Sequence, residues 1–177
     1  MSSAQTKVIV RSFGDRLAWG YLPHGLAVRE GRLELLDPAA RVTPLDLAAI
    51  KWVAFVRDFN LDDRRSPERL DRRRFNARPR SEGLWVRLRF TDSDTLEGLV
   101  QFSRALLDSV SDTGGLFLTP PDPRGNSQRL FVPRHALDSL EALGLVLPPG
   151  AKAARPAKPG EPATVGQPTL FPADPTR

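Results

Sequence analysis

Two apolar segments of the chain, residues 6–60 and 83–147, follow the same order of local sequence patterns. Residues 8–22 (VIVRSFGDRLAWGYL) and residues 86–100 (VRLRFTDSDTLEGLV) each alternate as a strand, pass through a polar turn, and continue as a second strand that reaches a glycine. When these two stretches are aligned, Gly20 corresponds to Gly98. The spacing of roughly 80 residues is longer than the repeats of solenoid proteins, so the pattern predicts two copies of one small unit.

The later parts of the two segments also correspond. Residues 31–38 parallel residues 115–123, and residues 41–56 parallel residues 129–143, each with a short β-rich run, a proline and a final apolar stretch. In the first unit the alternation from Ile50 to Arg57 favours a strand over a helix that starts at Pro44. In the second unit, residues 134–146 (RHALDSLEALGLV) fit either a strand or a helix with Gly144 as its C-cap.

We therefore predict a mainly β fold of two tandem small SH3-like or Sm-like β-barrels that arose by internal duplication. Each barrel has about five strands, with one tight helical turn before the fifth. Units of 55 to 65 residues are marginal alone, so the two are expected to pack together. The aromatic residues expected to be buried at or near their contact are Trp19, Trp52, Phe55 and Trp85.

An arginine-rich connector, residues 61–82, separates the two units. Eight arginines and two acids lie between Arg64 and Arg80, although the formal net charge of the whole chain is only +5. Ser66 as N-cap, Pro67 at the first helical position and Glu68 in the first turn predict a short helix over 67–75. The clustered charge suits a phosphate-binding site, because guanidinium groups bind phosphate in a bidentate manner. A solvated linker is the alternative.

The loop of residues 119–129 (TPPDPRGNSQR) is stiffened by three prolines, and the Arg-Gly-Asn sequence permits a sharp turn. Arg124, Asn126, Gln128 and Arg129 supply donors for a phosphate or a base edge. The alternative is a rigid connection in which Asp122 accepts backbone N–H groups.

The sequences FVRDF (residues 55–59) and LTPPDPRGNSQRLFVP (residues 118–133) resemble those of an uncharacterised bacterial family, over roughly residues 6–146. The resemblance implies no activity, and by analogy it implies small barrels similar to Sm-like and PilZ-like domains. In the first motif, Arg57 and Asp58 are expected to form a salt bridge that holds the strand end. Arg74 and Arg78 fit the Arg-x-x-x-Arg element of PilZ domains, whereas residues 92–98 (DSDTLEG) do not match its second element.

The C-terminal segment, residues 148–177, is rich in proline and alanine and is predicted to be disordered. It contains the sequence QPTLF at residues 167–171, which resembles the pentapeptide that docks bacterial proteins on the DNA sliding clamp. The resemblance implies that Gln167, Leu170 and Phe171 bind the partner, although Pro168 stands where leucine is common. An unselected tail, or one that folds back on the barrels, is the alternative.

The chain has no cysteine, and its two histidines lie far apart, so we predict no metal site and no cofactor. No nucleophile elbow or glycine-rich phosphate loop is present, which favours a non-enzymatic protein. We expect a soluble cytoplasmic chain without a membrane partner. The leading hypothesis is a nucleic-acid-associated adaptor, and the alternatives are a cyclic dinucleotide sensor and a purely structural interaction protein. The predicted phosphate-binding residues are Arg69, Arg72, Arg73, Arg74, Arg78, Arg80, Arg124 and Arg129.

Overall fold

The computed structural model describes residues 6–22, 26, 28–101, 114–122 and 124–147. These residues form short 3-10 turns at Leu47–Ala49 and Arg134–Ala136, and the following strands: β1 (Thr6–Ser12), β2 (Leu17–Leu22), β3 (Val28–Arg29), β4 (Arg32–Leu36), β5 (Val42–Asp46), β6 (Ile50–Val56), β7 (Gly83–Phe90), β8 (Thr95–Val100), β9 (Gly115–Leu118), β10 (Ser127–Pro133) and β11 (Leu137–Val146). Neither helical turn in this part of the chain is long or apolar enough to cross a membrane.

The strands make two antiparallel sheets, which confirms the prediction of a mainly β fold. The larger sheet has the order β3-β4-β2-β1-β6-β10-β9, with β5 paired to β4, and the smaller has the order β11-β7-β8. The prediction of two closed barrels is wrong for the described residues. Instead, β10 from the second half of the chain pairs along β6 from the first half. The larger sheet therefore continues across both halves and does not close within one.

The two halves nevertheless run through their elements in the same order. In the first, the hairpin β1·β2 is followed by β4·β5, a 3-10 turn and β6, which returns to pair with β1. In the second, the hairpin β7·β8 is followed by β9·β10, a 3-10 turn and β11, which returns to β7. The predicted strand from Ile50 is confirmed as β6. The open choice at residues 134–146 resolves to a 3-10 turn followed by a strand.

Two aligned glycines permit a close approach of neighbouring strands in the two halves. A Cβ on Gly20 would overlap the backbone carbonyl of Leu36, where β2 meets β4. A Cβ on Gly98 would overlap the side chain of Leu118, where β8 approaches β9. Both positions require a residue without a side chain because a neighbouring strand lies directly against the backbone.

The main hydrophobic core is shared by both halves and the connector. It contains Ile9, Trp52, Ala54, Val56, Leu70, Val86, Leu88, Phe90, Leu96, Val100, Leu116, Leu118, Leu130, Val132 and Ala136. Trp52 is fully buried there, as predicted, while Phe55 and Trp85 are half-buried. The prediction for Trp19 is wrong, since its side chain is 39% exposed.

The connector has no helix, so the helix predicted over residues 67–75 is wrong. Ser66 does cap a turn, because its Oγ accepts the N–H of Leu70 at 3.2 Å and its carbonyl accepts the N–H of Arg69 at 2.7 Å. A helix would use the next carbonyls, those of Pro67 and Glu68, as acceptors for its own N–H groups. Here they accept hydrogen bonds from side chains of the second half of the chain. Asn126 donates to the carbonyl of Pro67 at 2.8 Å, and Ser127 donates to that of Glu68 at 2.6 Å. These tertiary contacts outcompete the helical turn.

The connector is also fastened to the first half by a buried ion pair. Nε of Arg11 lies 2.6 Å from Oε1 of Glu68, and both side chains are at least nine-tenths buried. Burial acts to lower the pKa of Arg11, but its hydrogen bond to Glu68 and the charges of Glu68 and Asp15 outweigh this and raise the pKa. Nη2 of Arg11 also donates to the carbonyl of Arg65 at 2.8 Å.

The buried carboxylate of Glu97 fastens the connector to the second half. It accepts the backbone N–H of Phe75 at 3.1 Å and Nε1 of Trp85 at 3.2 Å, and its own N–H donates to the carbonyl of Arg73 at 2.8 Å. The backbone of the connector is therefore part of the packed fold, and a purely solvated linker does not describe it.

Candidate anion-binding cleft

A polar cleft opens where the end of β6, the connector and the loop before β10 meet. We call it the junction cleft. Its volume is about 820 Å³, and its lining residues are Arg57, Asp58, Asn60, Arg69, Asp71, Arg72, Asp122, Arg124, Gly125 and Asn126. The cleft thus unites both sequence motifs, FVRDF and TPPDPRGNSQR, with the arginine-rich connector.

Asn126 holds the three segments together. Its Oδ1 accepts the N–H of Asp58 at 2.9 Å, and its Nδ2 donates to the carbonyls of Asp58 at 2.7 Å and Pro67 at 2.8 Å. Its own carbonyl accepts the N–H of Arg57 at 3.0 Å. One side chain on the loop therefore fixes the positions of the strand end and the connector, which is a structural role that the sequence analysis did not assign to it.

Four arginines from three separate segments line the junction cleft. Arg69 is oriented by a hydrogen bond from its Nη2 to Oδ1 of Asn60 at 2.9 Å, and its backbone has a positive φ of 48°. The guanidinium groups of Arg57, Arg72 and Arg124 form no hydrogen bond or salt bridge with another described residue. Guanidinium groups left without partners favour an anionic ligand because each offers several donors in a fixed plane.

Two of the three acids in the cleft already have partners. Lys7 lies 2.8 Å from Oδ1 of Asp58, and this hydrogen bond together with the charge of Lys7 lowers the pKa of Asp58. Oδ1 of Asp122 accepts the N–H of Arg124 at 3.2 Å, as expected for a carboxylate that stabilises a turn. The predicted salt bridge between Arg57 and Asp58 is not formed, and the guanidinium of Arg57 has no partner among the described residues.

The structure brings three of the predicted phosphate-binding residues together, namely Arg69, Arg72 and Arg124. Arg57 joins them and was missed by the sequence analysis. Its position in FVRDF, directly after a buried strand, was the available signal, but Asp58 beside it suggested a local ion pair instead. The actual partner of Asp58, Lys7, is distant in sequence, so only the fold shows that Asp58 pairs with Lys7 and not with Arg57.

The other five predicted arginines do not line the junction cleft. Arg73 lies over the ring of Trp52 at 5.0 Å, and Arg129 lies over the ring of Phe117 at 4.0 Å, as cation–π pairs. Nη2 of Arg78 donates to the carbonyl of Leu145 at 2.8 Å. Arg74 and Arg80 are exposed on the connector. The docking residues Gln167, Leu170 and Phe171 lie outside the described residues, as does the whole segment 148–177.

A second, smaller polar cavity of about 360 Å³ lies beside Trp52. Its charges are largely satisfied internally. Lys51, which is 5% exposed, binds Asp94 at 2.8 Å and also Asp92, and its Nζ lies 5.1 Å from the centre of the Trp52 ring. Since Lys51 and Arg11 are both paired with carboxylates, these two cations of the cavity offer less free charge to an anion than the junction cleft does.

A family model covers residues 4–144 of the chain, so the protein belongs to this family, which is described as a family of unknown function, DUF6982. No curated protein and no solved structure matches the chain.

Proposed function

We propose that this protein is a non-enzymatic nucleic-acid-binding adaptor that holds the phosphate backbone of its ligand in the junction cleft. The observation that carries the proposal is the convergence of Arg57, Arg72 and Arg124 from three segments, with their guanidinium groups free of partners among the described residues. Arg69, already oriented by Asn60, is a fourth contact. Phosphate contacts of this kind supply most of the affinity of sequence-independent binding.

The character of the cleft favours a polymer backbone over a small enclosed ligand. Sites for small molecules are mostly apolar and bury most of the ligand surface. The junction cleft is open, and nearly all its lining side chains are charged or carry amides. Arg74 and Arg78, which the cyclic dinucleotide hypothesis requires, do not line it. We therefore favour nucleic acid over a cyclic dinucleotide as the ligand.

The adaptor role rests on the C-terminal segment. Gln167, Leu170 and Phe171 resemble a clamp-docking motif at the end of a segment that is otherwise poor in large apolar residues. We propose that this motif carries a second protein partner, the DNA sliding clamp, while the junction cleft holds nucleic acid.

We also propose that the two halves, with bounds at residues 6–60 and 83–147, are copies of one ancestral SH3-like unit. Support comes from their shared order of elements and from the 3-10 turn before the last strand of each half. The glycines at the close strand approaches, Gly20 and Gly98, add to this support.

Binding is tested by fluorescence anisotropy of labelled oligonucleotides with the full chain. The probes are single-stranded DNA, single-stranded RNA and duplex DNA of about 20 nucleotides, longer than the roughly 4 to 16 nucleotides covered by one small single-strand-binding domain. The triple variant Arg57→Gln, Arg72→Gln, Arg124→Gln removes the free guanidinium groups. We expect its slope of log affinity against log salt to be shallower by about 2 to 3 than that of the unmodified chain.

The matched control is Arg74→Gln, Arg78→Gln, Arg80→Gln, which removes the same charge from exposed connector positions outside the cleft. The control should retain most of the affinity and of the salt slope. Equal losses in the two variants would show that net charge, and not the junction cleft, governs binding. Absence of binding to all three probes at about 50 mM salt would contradict the proposed function.

A further inference from the structure

Strand β11 has one edge that pairs with no other described strand, although the carbonyl of Leu145 on that edge accepts Nη2 of Arg78 at 2.8 Å. It pairs only with β7, whereas β6, which follows the 3-10 turn of the first half in the same way, pairs with β1 on one edge and β10 on the other. An open strand edge presents a row of backbone N–H and C=O groups that can pair with another strand. The halves of this chain are themselves joined by such edge-to-edge pairing, between β6 and β10.

The same edge exposes apolar side chains. Leu140 is 48% exposed and Leu145 is 45% exposed, and Leu147, just after the strand, is 37% exposed. These are three of the six large hydrophobic residues that are exposed in the described part of the chain. Clustered exposed apolar residues along an open edge mark an interaction surface better than scattered ones do.

The exposed apolar residues of β11, namely Leu140, Ala142 and Leu145, are arranged symmetrically about Ala142. On β7, the residues opposite Leu140, Ala142 and Leu145 are Leu88, Val86 and Leu84 respectively. Ala142 and Gly144 pair with consecutive residues of β7, so a β-bulge accommodates the one additional residue between them. Leu140, Ala142 and Leu145 therefore share one face of the strand at even spacing. A two-fold axis through Ala142 would consequently bring Leu140 opposite Leu145 of the partner subunit, and the reverse.

The charges on β11 permit two copies to approach each other. Its two acids are already neutralised by arginines of β7, because Glu141 lies 3.0 Å from Arg87 and Asp138 lies 3.6 Å from Arg89. The strand itself contains no lysine, arginine or proline, although it has two β-bulges. Pairing at Leu145 would replace its hydrogen bond from the exposed side chain of Arg78 with one from a backbone N–H of the second copy.

The outer edge of β5 is protected in a way that β11 is not. The N–H of Leu47 donates to the carbonyl of Gly31, on the side of β5 that faces β4. Backbone N–H groups point to alternate sides along a strand, so those of Leu45 and Thr43 also face β4, and the nitrogen of Pro44 points outward. A proline there removes the central donor of that edge. Head-to-tail pairing of β11 with β5 of another copy is therefore disfavoured, and a second β11 remains the complementary partner.

We propose that the protein forms a two-fold symmetric dimer in which β11 pairs antiparallel with β11 of a second copy, centred on Ala142. The pairing extends the three-stranded sheet into a continuous six-stranded sheet and covers Leu140 and Leu145 of both copies.

Sedimentation velocity of the full chain tests the dimer directly. We expect a concentration-dependent dimer whose dissociation constant rises about a hundredfold or more in the double variant Leu140→Lys, Leu145→Lys, since four charges would face one another at the interface. The matched control is Val42→Lys, a change of the same type on β5 at a residue 62% exposed, which should leave the dimer intact. A monomer at all concentrations, an intact dimer in the double variant, or dissociation by the control would each overturn the proposal.

Disulfide crosslinking tests the register without disturbing the apolar contacts. Because the chain has no cysteine, Ala142→Cys introduces a single thiol at the proposed axis. Paired antiparallel residues have Cα atoms about 4.5 to 5.5 Å apart, within the reach of a disulfide. Mild oxidation should give a nearly complete covalent dimer with Ala142→Cys and little with the control Thr43→Cys. Equal crosslinking of the two variants would contradict the two-fold pairing.

Discussion

Replacement of Glu68 by alanine is expected to lower the free energy of unfolding by about 3 to 5 kcal/mol, the cost of leaving one partner of a buried ion pair alone. Glu68 is 1% exposed and lies 2.6 Å from Nε of Arg11, which is itself 8% exposed. Among the described residues, the lost carboxylate leaves the guanidinium with the exposed Asp15 and a backbone carbonyl as its hydrogen-bond partners. Equilibrium unfolding by urea, monitored by tryptophan fluorescence, measures the change.

The matched control for this substitution is Glu141→Ala. Glu141 also forms a glutamate–arginine pair, at 3.0 Å from Arg87, but its side chain is 62% exposed. Exposed pairs contribute about 0 to 1 kcal/mol. Equal and small losses in the two variants would show that the connector is not anchored through Arg11 and Glu68.

Gly20→Ala is expected to destabilise the fold by about 3 kcal/mol, because the new methyl group would overlap a backbone oxygen that cannot move independently. That oxygen is the carbonyl of Leu36, on β4, which pairs with β2. The control is Gly144→Ala, since a Cβ there has no neighbour within 4 Å. Thermal unfolding of both variants, followed by circular dichroism, distinguishes the two sites. A Gly20→Ala variant as stable as the control would contradict the close approach of β4 to Gly20.

The strands were predictable because their signals are local. Period-two alternation located the hairpins of both halves, and the alternation from Ile50 correctly favoured β6 over a helix. The connector was mispredicted because Ser66, Pro67 and Glu68 do carry helix-start chemistry, yet Asn126 and Ser127 take the carbonyls that the helix would need. Such competition depends on contacts about 60 residues apart, which local patterns do not encode.

The closed barrels were mispredicted for a related reason. The alternation of a strand sets which side chains share a face, but not which strand lies at each edge. The pairing of β10 with β6 joins the halves into one sheet, and no residue pattern within either half indicates it. The shared core follows from this pairing, with Trp52 of the first half packed 5.5 Å from the ring of Phe90 of the second.

The candidate site was predictable only as a concentration of arginine. Charge alone grouped Arg72 with Arg73 and Arg74, which are neighbours in sequence. The fold separates them, because Arg72 lines the junction cleft, Arg73 packs against Trp52, and Arg74 is exposed outside it. The fold also adds Arg57 to the cleft, from a different segment. Its neighbour Asp58 forms a salt bridge with Lys7 and not with Arg57.

The measurement that tests the central claim most directly is the NMR spectrum of arginine Nε–Hε groups during titration of the full chain with an oligonucleotide. If phosphate binds in the junction cleft, the resonances of Arg57, Arg72 and Arg124 shift together along one binding curve. Those of Arg74 and Arg80 stay in place. Shifts confined to the exposed connector arginines, or spread evenly over all of them, would contradict the assignment of the cleft as the nucleic-acid site.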